Sequence, residues 1–148
     1  MKRHFQKINQ VERYLKAKQG VLIESTANDA NLIDWDLRIT GTTKNNRIST
    51  YTVKHNNSYH NDKICLEYKK SINNELHPSG ITAVNSEYMI FTFYDDPKIY
   101  MIKREKLIAY AESNSPKPPV DYYKAMDKQN YQLVLFDRPS LLRRCKVI

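Results

Sequence analysis

The sequence predicts a single α+β or α/β domain with a central mixed sheet flanked by helices. The chain opens with an amphipathic helical pattern, continues with a run of alternating strands, and ends in a mixed strand and helix segment. That order is typical of helices packed on a sheet. A length of 148 residues suits one compact domain spanning 1–148. Apolar residues make up 41% of the chain, so we expect a folded core.

The first predicted element is a helix over residues 2–18. Its apolar stripe follows the three-to-four spacing of a helix and consists of Phe5, Ile8, Val11 and Leu15. Gly20 stands where a C-terminal cap is expected. Glu12 lies within the apolar stripe. It is either a boundary residue that reaches water or a lysine, or a carboxylate with a function.

Four strands are then predicted, over 21–25, 34–40, 48–54 and 63–69, with polar connections between them. In the second strand Trp35, Leu37 and Ile39 alternate with Asp36, Arg38 and Thr40. In the fourth strand Ile64, Leu66 and Tyr68 alternate with Cys65, Glu67 and Lys69. Each of these two strands therefore has one apolar face and one polar face.

The second half of the chain is predicted to continue the sheet. A turn at 78–80 precedes a short helix, and the apolar segment 87–94 is expected to be the central strand. A turn at 95–97 joins it to a hairpin partner at 98–102. We further predict a helix at 103–112, a proline-containing loop at 113–119, a helical turn near 121–128, a strand at 131–136 and a basic end at 143–146.

The net charge favours a polyanionic partner. The chain has 24 lysines and arginines against 16 acidic residues, a formal charge of +8. This excess alone does not choose among DNA, RNA and an anionic membrane surface. No apolar run is long enough for a membrane span or a secretory signal, so we expect a cytoplasmic protein that acts on no membrane.

Several chemistries are not supported by the motifs. The three glycines form neither of the common phosphate-binding loops. The two cysteines, Cys65 and Cys145, are far apart and have no zinc-ligand spacing, so neither a structural zinc site nor a disulfide framework is expected.

Asp36, Glu67 and Lys69 form the candidate catalytic set. Glu67 and Lys69 are two residues apart on a predicted strand, so both should project from one face while Tyr68 enters the core. If the Asp36 strand pairs with this strand, two carboxylates and one ammonium converge. Two close carboxylates repel each other unless a cation lies between them, so the set predicts a Mg²⁺ site. The adjacent lysine would orient an attacking water.

This Asp…Glu-x-Lys arrangement resembles the PD-(D/E)xK nuclease superfamily, which includes restriction enzymes, Holliday-junction resolvases and small phage nucleases. The resemblance covers residues 5–110, and the family core is a helix, three strands, a helix and a further strand. It implies a restriction-endonuclease-like core and a Mg²⁺-dependent DNA endonuclease in which Mn²⁺ can substitute. Asp36 and Glu67 would bind the metal, and Lys69 would serve catalysis.

The resemblance also names accessory residues. Glu12 corresponds to a helix glutamate that approaches the metal in many members, Asp34 competes with Asp36 as the ligand, and Glu24 is a further candidate. Because Asp36 and Glu67 are 31 positions apart, the strand at 48–54 is expected to be an insertion or an arm.

The expected partner is DNA, with Arg38, Lys54 and Lys70 as candidate contacts, and a homodimer would allow both strands to be cut. The alternatives are a non-catalytic basic nucleic-acid-binding module and a degenerate nuclease-like subunit. A composition rich in lysine, asparagine and tyrosine suits an AT-rich genome such as that of a phage.

Overall fold

A computed structural model describes residues 10–15, 22–25, 37–40, 48–56, 62–113, 120–124 and 129–148. The elements within these ranges are α1 (10–15), β1 (Leu22–Ser25), β2 (Leu37–Thr40), β3 (Ile48–Asn56), β4 (Lys63–Ile72), β5 (Glu75–Pro78), a 3-10 turn (Gly80–Thr82), β6 (Tyr88–Phe93), β7 (Asp96–Lys103), α2 (Arg104–Ser113), β8 (Val120–Lys124), β9 (Gln129–Asp137), α3 (Arg138–Arg144) and β10 (Lys146–Val147). The described part of the chain is thus α+β, in agreement with the predicted fold class. None of the helices within it has the length and apolar content to cross a membrane.

The larger sheet is mixed and has the strand order β1-β2-β3-β6-β7-β10. Strands β1, β2 and β3 form an antiparallel meander, β6 lies parallel to β3, and β7 returns antiparallel to β6. The predicted strand at 87–94 is indeed central, because β6 lies between β3 and β7. A parallel pair needs a long connection, and residues between β3 and β6 supply it.

That connection contains two of the four strands of a second sheet, β4 and β5. Its strand order is β5-β4-β9-β8, and all its pairs are antiparallel. The prediction that the strand at 48–54 is an insertion is therefore wrong. Strand β3 is the third strand of the meander, and β4, which carries Glu67 and Lys69, belongs to the other sheet.

The predicted pairing of the Asp36 strand with the Glu67 strand is also not observed. Strand β2 has β1 on one edge and β3 on the other, with Leu37 opposite both Ser25 and Tyr51. Both hydrogen-bonding edges of β2 are thus occupied. Strand β4 has β5 and β9 as its neighbours instead.

Two apolar clusters cover the two faces of the larger sheet. On one face α1 contributes Val11 and Leu15, which pack with Tyr51, Val53 and Ile90. On the other face the second sheet, α2 and α3 close over alternate residues of β6, and this larger cluster includes Ile64, Leu66, Ile81, Met89, Phe91, Phe93, Leu107, Phe136 and Leu141. Alternation along β3 and β6 therefore decides which side chains face the second sheet.

Three short elements differ from the predictions. Strand β5 follows a tight turn in which Asn73 and Asn74 both have positive φ, 51° and 66°, a geometry that asparagine tolerates. The prediction of a helical turn near 121–128 is wrong for residues 121–124, because these belong to β8, which pairs antiparallel with β9. Helix α3 was not predicted, although Asp137 caps it by accepting from the Ser140 backbone N–H at 3.1 Å.

Candidate functional site

A cavity of about 260 Å³ lies where the end of β3 meets β4 and the 3-10 turn. Its described lining consists of Lys54, His55, Asn56, Cys65, Leu66, Glu67, Gly80 and Ile81. Lys54 and Glu67 are the described basic and acidic residues of this lining, apart from His55 and Cys65. The two residues come from different sheets.

Lys54 reaches this space because of the alternation of β3. Tyr51 and Val53 pack in the cluster formed with α1, so Thr52 and Lys54 take the opposite face, toward the second sheet. Lys54 pairs in register with Phe91, which belongs to the cluster between the sheets. Thr52 is buried, and its hydroxyl donates to Ser86 Oγ at 2.8 Å. Along this face of β3, Thr52 is buried in the core, and Lys54 is the next residue and lines the cavity.

Glu67 and Lys69 do not share a face, contrary to the prediction. Glu67 pairs with Leu133 and Lys69 pairs with Gln132, so two steps along β4 match one step along β9. Cross-strand partners lie on the same face, and adjacent residues of a strand lie on opposite faces. A β-bulge at Tyr68 therefore separates the two side chains.

Lys69 and Lys70 lie beyond the bulge, in the part of β4 that pairs with β5. Lys69 pairs with Pro78 and Lys70 pairs with His77 in the hairpin with β5. The Lys69 Nζ lies 5.4 Å from the centroid of the Tyr68 ring. Of the three lysines Lys54, Lys69 and Lys70, it is Lys54 that lines the cavity.

Tyr68 packs against the larger core cluster, as its place in the alternating pattern predicted. Its hydroxyl donates to Glu112 Oε1 of α2 at 3.0 Å. Burial, together with this hydrogen bond, raises the pKa of Tyr68. The bulge residue is therefore a neutral anchor between β4 and α2.

The chain after β5 folds back over the bulge and holds Glu67. Ser79 Oγ donates to Glu67 Oε2 at 3.1 Å, and the Ser79 backbone N–H donates to Thr82 Oγ1 at 3.0 Å. Thr82 Oγ1 in turn donates to the carbonyl of Tyr68. Gly80 has φ +54°, and a Cβ there would lie 2.2 Å from the Glu67 carbonyl oxygen. Only glycine allows this approach.

Ser79 and Gly80 are functional candidates that sequence reasoning did not name. The Pro-Ser-Gly sequence at 78–80 correctly predicted a turn. Nothing in the sequence indicated that this turn would cross β4, since the contact joins residues that are twelve positions apart.

Cys65 and His55 contribute other chemistry to the cavity lining. Burial and the neighbouring Glu67 charge raise the pKa of the Cys65 thiol, so this cysteine is a poor nucleophile. His55 Nδ1 lies 2.9 Å from Thr92 Oγ1 of the neighbouring strand. Among the described residues no group of three or more His, Cys, Asp or Glu side chains is placed to hold a metal ion.

The remaining predicted site residues are dispersed. Asp34 and Asp36 lie outside the described residues. Glu24 and Arg38 are register partners in β1 and β2, and Arg38 is also opposite Thr50 of β3. Glu12 is not part of the cavity lining, because α1 packs on the face of the larger sheet opposite to that of Lys54.

No family model matches the chain, and neither a curated protein nor a solved structure matches it.

Proposed function

We propose that the chain is a Mg²⁺-dependent DNA endonuclease whose site is the cavity between β3 and β4. The observation that carries the proposal is that Lys54 and Glu67 line the same cavity. The net charge of +8 supports a polyanionic substrate. A cytoplasmic enzyme that works as a homodimer, with one site for each DNA strand, fits this activity.

The order of elements supports a restriction-endonuclease-like core. In the nucleases that the sequence resembles, a helix is followed by three strands, and the strands bear the aspartate, the acidic residue and the lysine. Here the three strands after α1 are β1, β2 and β3, so the strand that corresponds to the lysine-bearing one is β3. Lys54 then takes the place of the family lysine. Thr52 takes the place of the acid and has no carboxylate.

We infer that Glu67 supplies the missing carboxylate from the second sheet. It is the described acidic residue of the cavity lining. Asp36, the aspartate that the resemblance assigns to the metal, lies outside the described residues and is retained in the proposed set on the sequence alone. Mg²⁺ is commonly held by one or two carboxylates plus substrate phosphate oxygens, so Glu67 and the substrate phosphate would be the donors for Mg²⁺ or Mn²⁺ in this proposal.

In the proposed mechanism, Lys54 of the larger sheet and Glu67 of the second sheet have different roles. Mg²⁺, if bound beside Glu67, would supply a water of lowered pKa and would neutralise charge on the scissile phosphate. Glu67 holds its carboxylate at the cavity wall through the hydrogen bond from Ser79. Lys54 donates from its ammonium group to the attacking water and to a phosphate oxygen. Arg38 and Lys70 are proposed to contact the DNA backbone outside the cavity.

A second candidate is a non-catalytic DNA-binding module. It is favoured by Thr52, which stands where the resemblance requires an acid, and by the bulge that separates Glu67 from Lys69. In this case the charge alone would provide affinity, and the cavity would have no catalytic role.

Cleavage assays separate the two candidates. Supercoiled, linear and branched DNA are incubated with the protein in Mg²⁺, Mn²⁺ or EDTA, and the cut positions are read on a sequencing gel. We expect metal-dependent cleavage that falls about 100-fold in Glu67→Gln. DNA binding should be retained, and Glu105→Gln, at an exposed position on α2, serves as the matched control. Binding without cleavage of any substrate would support the module instead.

A further inference from the structure

Residues 138–148, which comprise α3 and β10, contain four basic residues and no acidic residue. They account for half of the formal net charge of +8. Arg138 is neutralised by Asp95, to which it donates two hydrogen bonds. Arg143 and Arg144 are exposed in the last turn of α3, and neither forms an ion pair with the described residues. The end of α3 therefore presents two arginines whose charge is not neutralised by a described carboxylate.

The Arg144 guanidinium is held over an aromatic ring. Its Cζ lies 3.8 Å from the centroid of the Tyr110 ring of α2, and its Nη1 donates to the Ser140 carbonyl at 2.9 Å. The Tyr110 ring stacks in turn on the ring of Phe136, with centroids 5.4 Å apart, and Phe136 is fully buried. Two stacked rings thus connect an arginine at the surface to the core.

The contacts of Arg144 leave most of its hydrogen-bond donors available. A guanidinium has five N–H donors, and the bond to Ser140 uses one of them. No other hydrogen bond joins the Arg144 side chain to the described part of the chain, and the residue is exposed. A cation near a helix C-terminus also interacts favourably with the helix dipole, but that effect does not require a stacked planar group. The stack restricts a long side chain in advance, so binding an anion costs less rotamer entropy.

Two further cations lie close to this stack. Lys106 is exposed and lies one turn before Tyr110, on the same side of α2. Arg143 directly precedes the stacked arginine. Of the two acids of α2, Glu105 lies in the first turn, where a negative charge favours the helix, and Glu112 accepts a hydrogen bond from β4. Helices α2 and α3 therefore present three exposed cations around one aromatic ring.

We propose that Lys106, Tyr110, Arg143 and Arg144 form a surface that binds the phosphate backbone of duplex DNA through the stacked guanidinium of Arg144. The choice of DNA as the partner rests on the proposed function, whereas the surface shares no residue with the cavity between β3 and β4. A guanidinium matches two oxygens of one phosphate, and phosphate contacts position a duplex without reading its sequence. The surface therefore adds affinity for DNA of any sequence.

The direct test is binding of the full chain to a fluorescently labelled DNA duplex in EDTA, measured by anisotropy over a range of salt concentrations. Arg144→Gln should weaken binding roughly tenfold and lower the slope of log affinity against log salt by about one, because one phosphate contact is lost. Arg13→Gln is the matched control. It removes the same charge from an exposed position on α1, which packs on the opposite face of the larger sheet, and should leave both values close to wild type. Equal losses in the two variants would show a general effect of net charge and overturn the inference.

Arg144→Lys separates the geometry of the side chain from its charge. A lysine keeps the charge but has no planar fork, so we expect it to recover only part of the lost affinity. Wild-type affinity in Arg144→Lys would contradict the role of the stacked guanidinium. If Arg144→Gln is too unstable to titrate, Arg143→Gln carries the same expected direction, because the described contact of the Arg143 guanidinium is a single surface hydrogen bond to Ser140 Oγ.

The binding and cleavage assays distinguish failure of this inference from failure of the proposed function. Wild-type DNA affinity in Arg144→Gln, with metal-dependent cleavage by the wild type, would overturn the inference and leave the proposed function standing. Binding that depends on Arg144, without cleavage of any substrate, would overturn the proposed function and leave this surface. If Arg144→Gln lost binding to RNA or to vesicles of anionic lipid but kept its affinity for duplex DNA, the partner would not be DNA and the inference would be wrong.

Discussion

Strands β4 and β6 differ in how much of each strand is buried. In β6, five of the six residues are buried, and the strand lies between β3 and β7. In β4, only Ile64 and Leu66 are buried, and the bulge at Tyr68 interrupts its pairing with β9. Strand β6 belongs to the core that stabilises the fold, whereas β4 brings a carboxylate to a polar cavity. Both strands have an interrupted register, β4 beside β9 and β6 beside β7, so burial rather than regular pairing distinguishes the core strand from the strand at the candidate site.

The largest expected effect on stability lies in β6. Phe91 is fully buried between the two sheets, so Phe91→Ala should lower the free energy of unfolding by about 3–5 kcal/mol. Leu135 of β9 is 48% exposed, and Leu135→Ala should cost roughly 1 kcal/mol or less. Urea unfolding followed by circular dichroism measures both. Equal losses of unfolding free energy in the two variants would contradict the claim that burial makes β6 more important for stability than the exposed face of β9.

A smaller effect is expected at the turn that crosses β4. Gly80→Ala places a Cβ against the Glu67 carbonyl at a backbone with φ +54°, so we expect a loss of about 1–3 kcal/mol in unfolding free energy. The exposed Ala83 has φ −93° and does not need glycine. Ala83→Gly should therefore cost about 1 kcal/mol or less. A neutral Gly80→Ala variant would show that the turn can move away from β4.

The smallest effect is a pH dependence at the other end of the second sheet. Arg138 binds Asp95 through two hydrogen bonds of 3.0 and 2.8 Å, and these lower the pKa of Asp95. A lowered carboxyl pKa in the folded state stabilises the protein above the unfolded value of about 3.9, and this stabilisation is lost as the pH falls through the folded value.

We therefore expect Asp95→Asn to lower the melting temperature slightly at pH 7 and to approach the wild type at acid pH, where Asp95 is protonated in the folded protein too. The exposed Asp62 provides the isosteric control, Asp62→Asn, which should show less difference at pH 7. A melting-temperature gap between Asp95→Asn and wild type that persists at pH 2 would contradict this account.

The sequence was sufficient for elements in which local pattern and tertiary environment agree. The high apolar content of residues 87–94 predicted a central strand, and the spacing of Leu107 and Ala111 fits the predicted helix at 103–112, which is α2. Two local sequence signals, one for a helix and one for a hairpin turn, were not used in the prediction. Asp137 followed by Pro139 is a typical helix start, and the Asn73–Asn74 pair is typical of a hairpin turn.

The candidate site was less accessible to sequence reasoning, for two physical reasons. A bulge adds one residue to one strand, and no local pattern at Glu67, Tyr68 and Lys69 distinguishes it from regular alternation. The lysine that lines the same cavity as Glu67 comes from the other sheet, and which residues line the cavity is set by how the sheets pack. Lys54 was named only as a DNA contact, although its alternation already placed it on the face of Thr52.

The central claim is that the cavity lysine is Lys54 rather than Lys69, and paired substitutions test it most directly. Lys54→Met and Lys69→Met are compared for Mg²⁺-dependent cleavage of supercoiled DNA, after both are shown to unfold cooperatively. We predict that Lys54→Met lowers the rate about 100-fold and that Lys69→Met stays within about fivefold of wild type. A large loss in Lys69→Met with normal cleavage by Lys54→Met would contradict the proposed site.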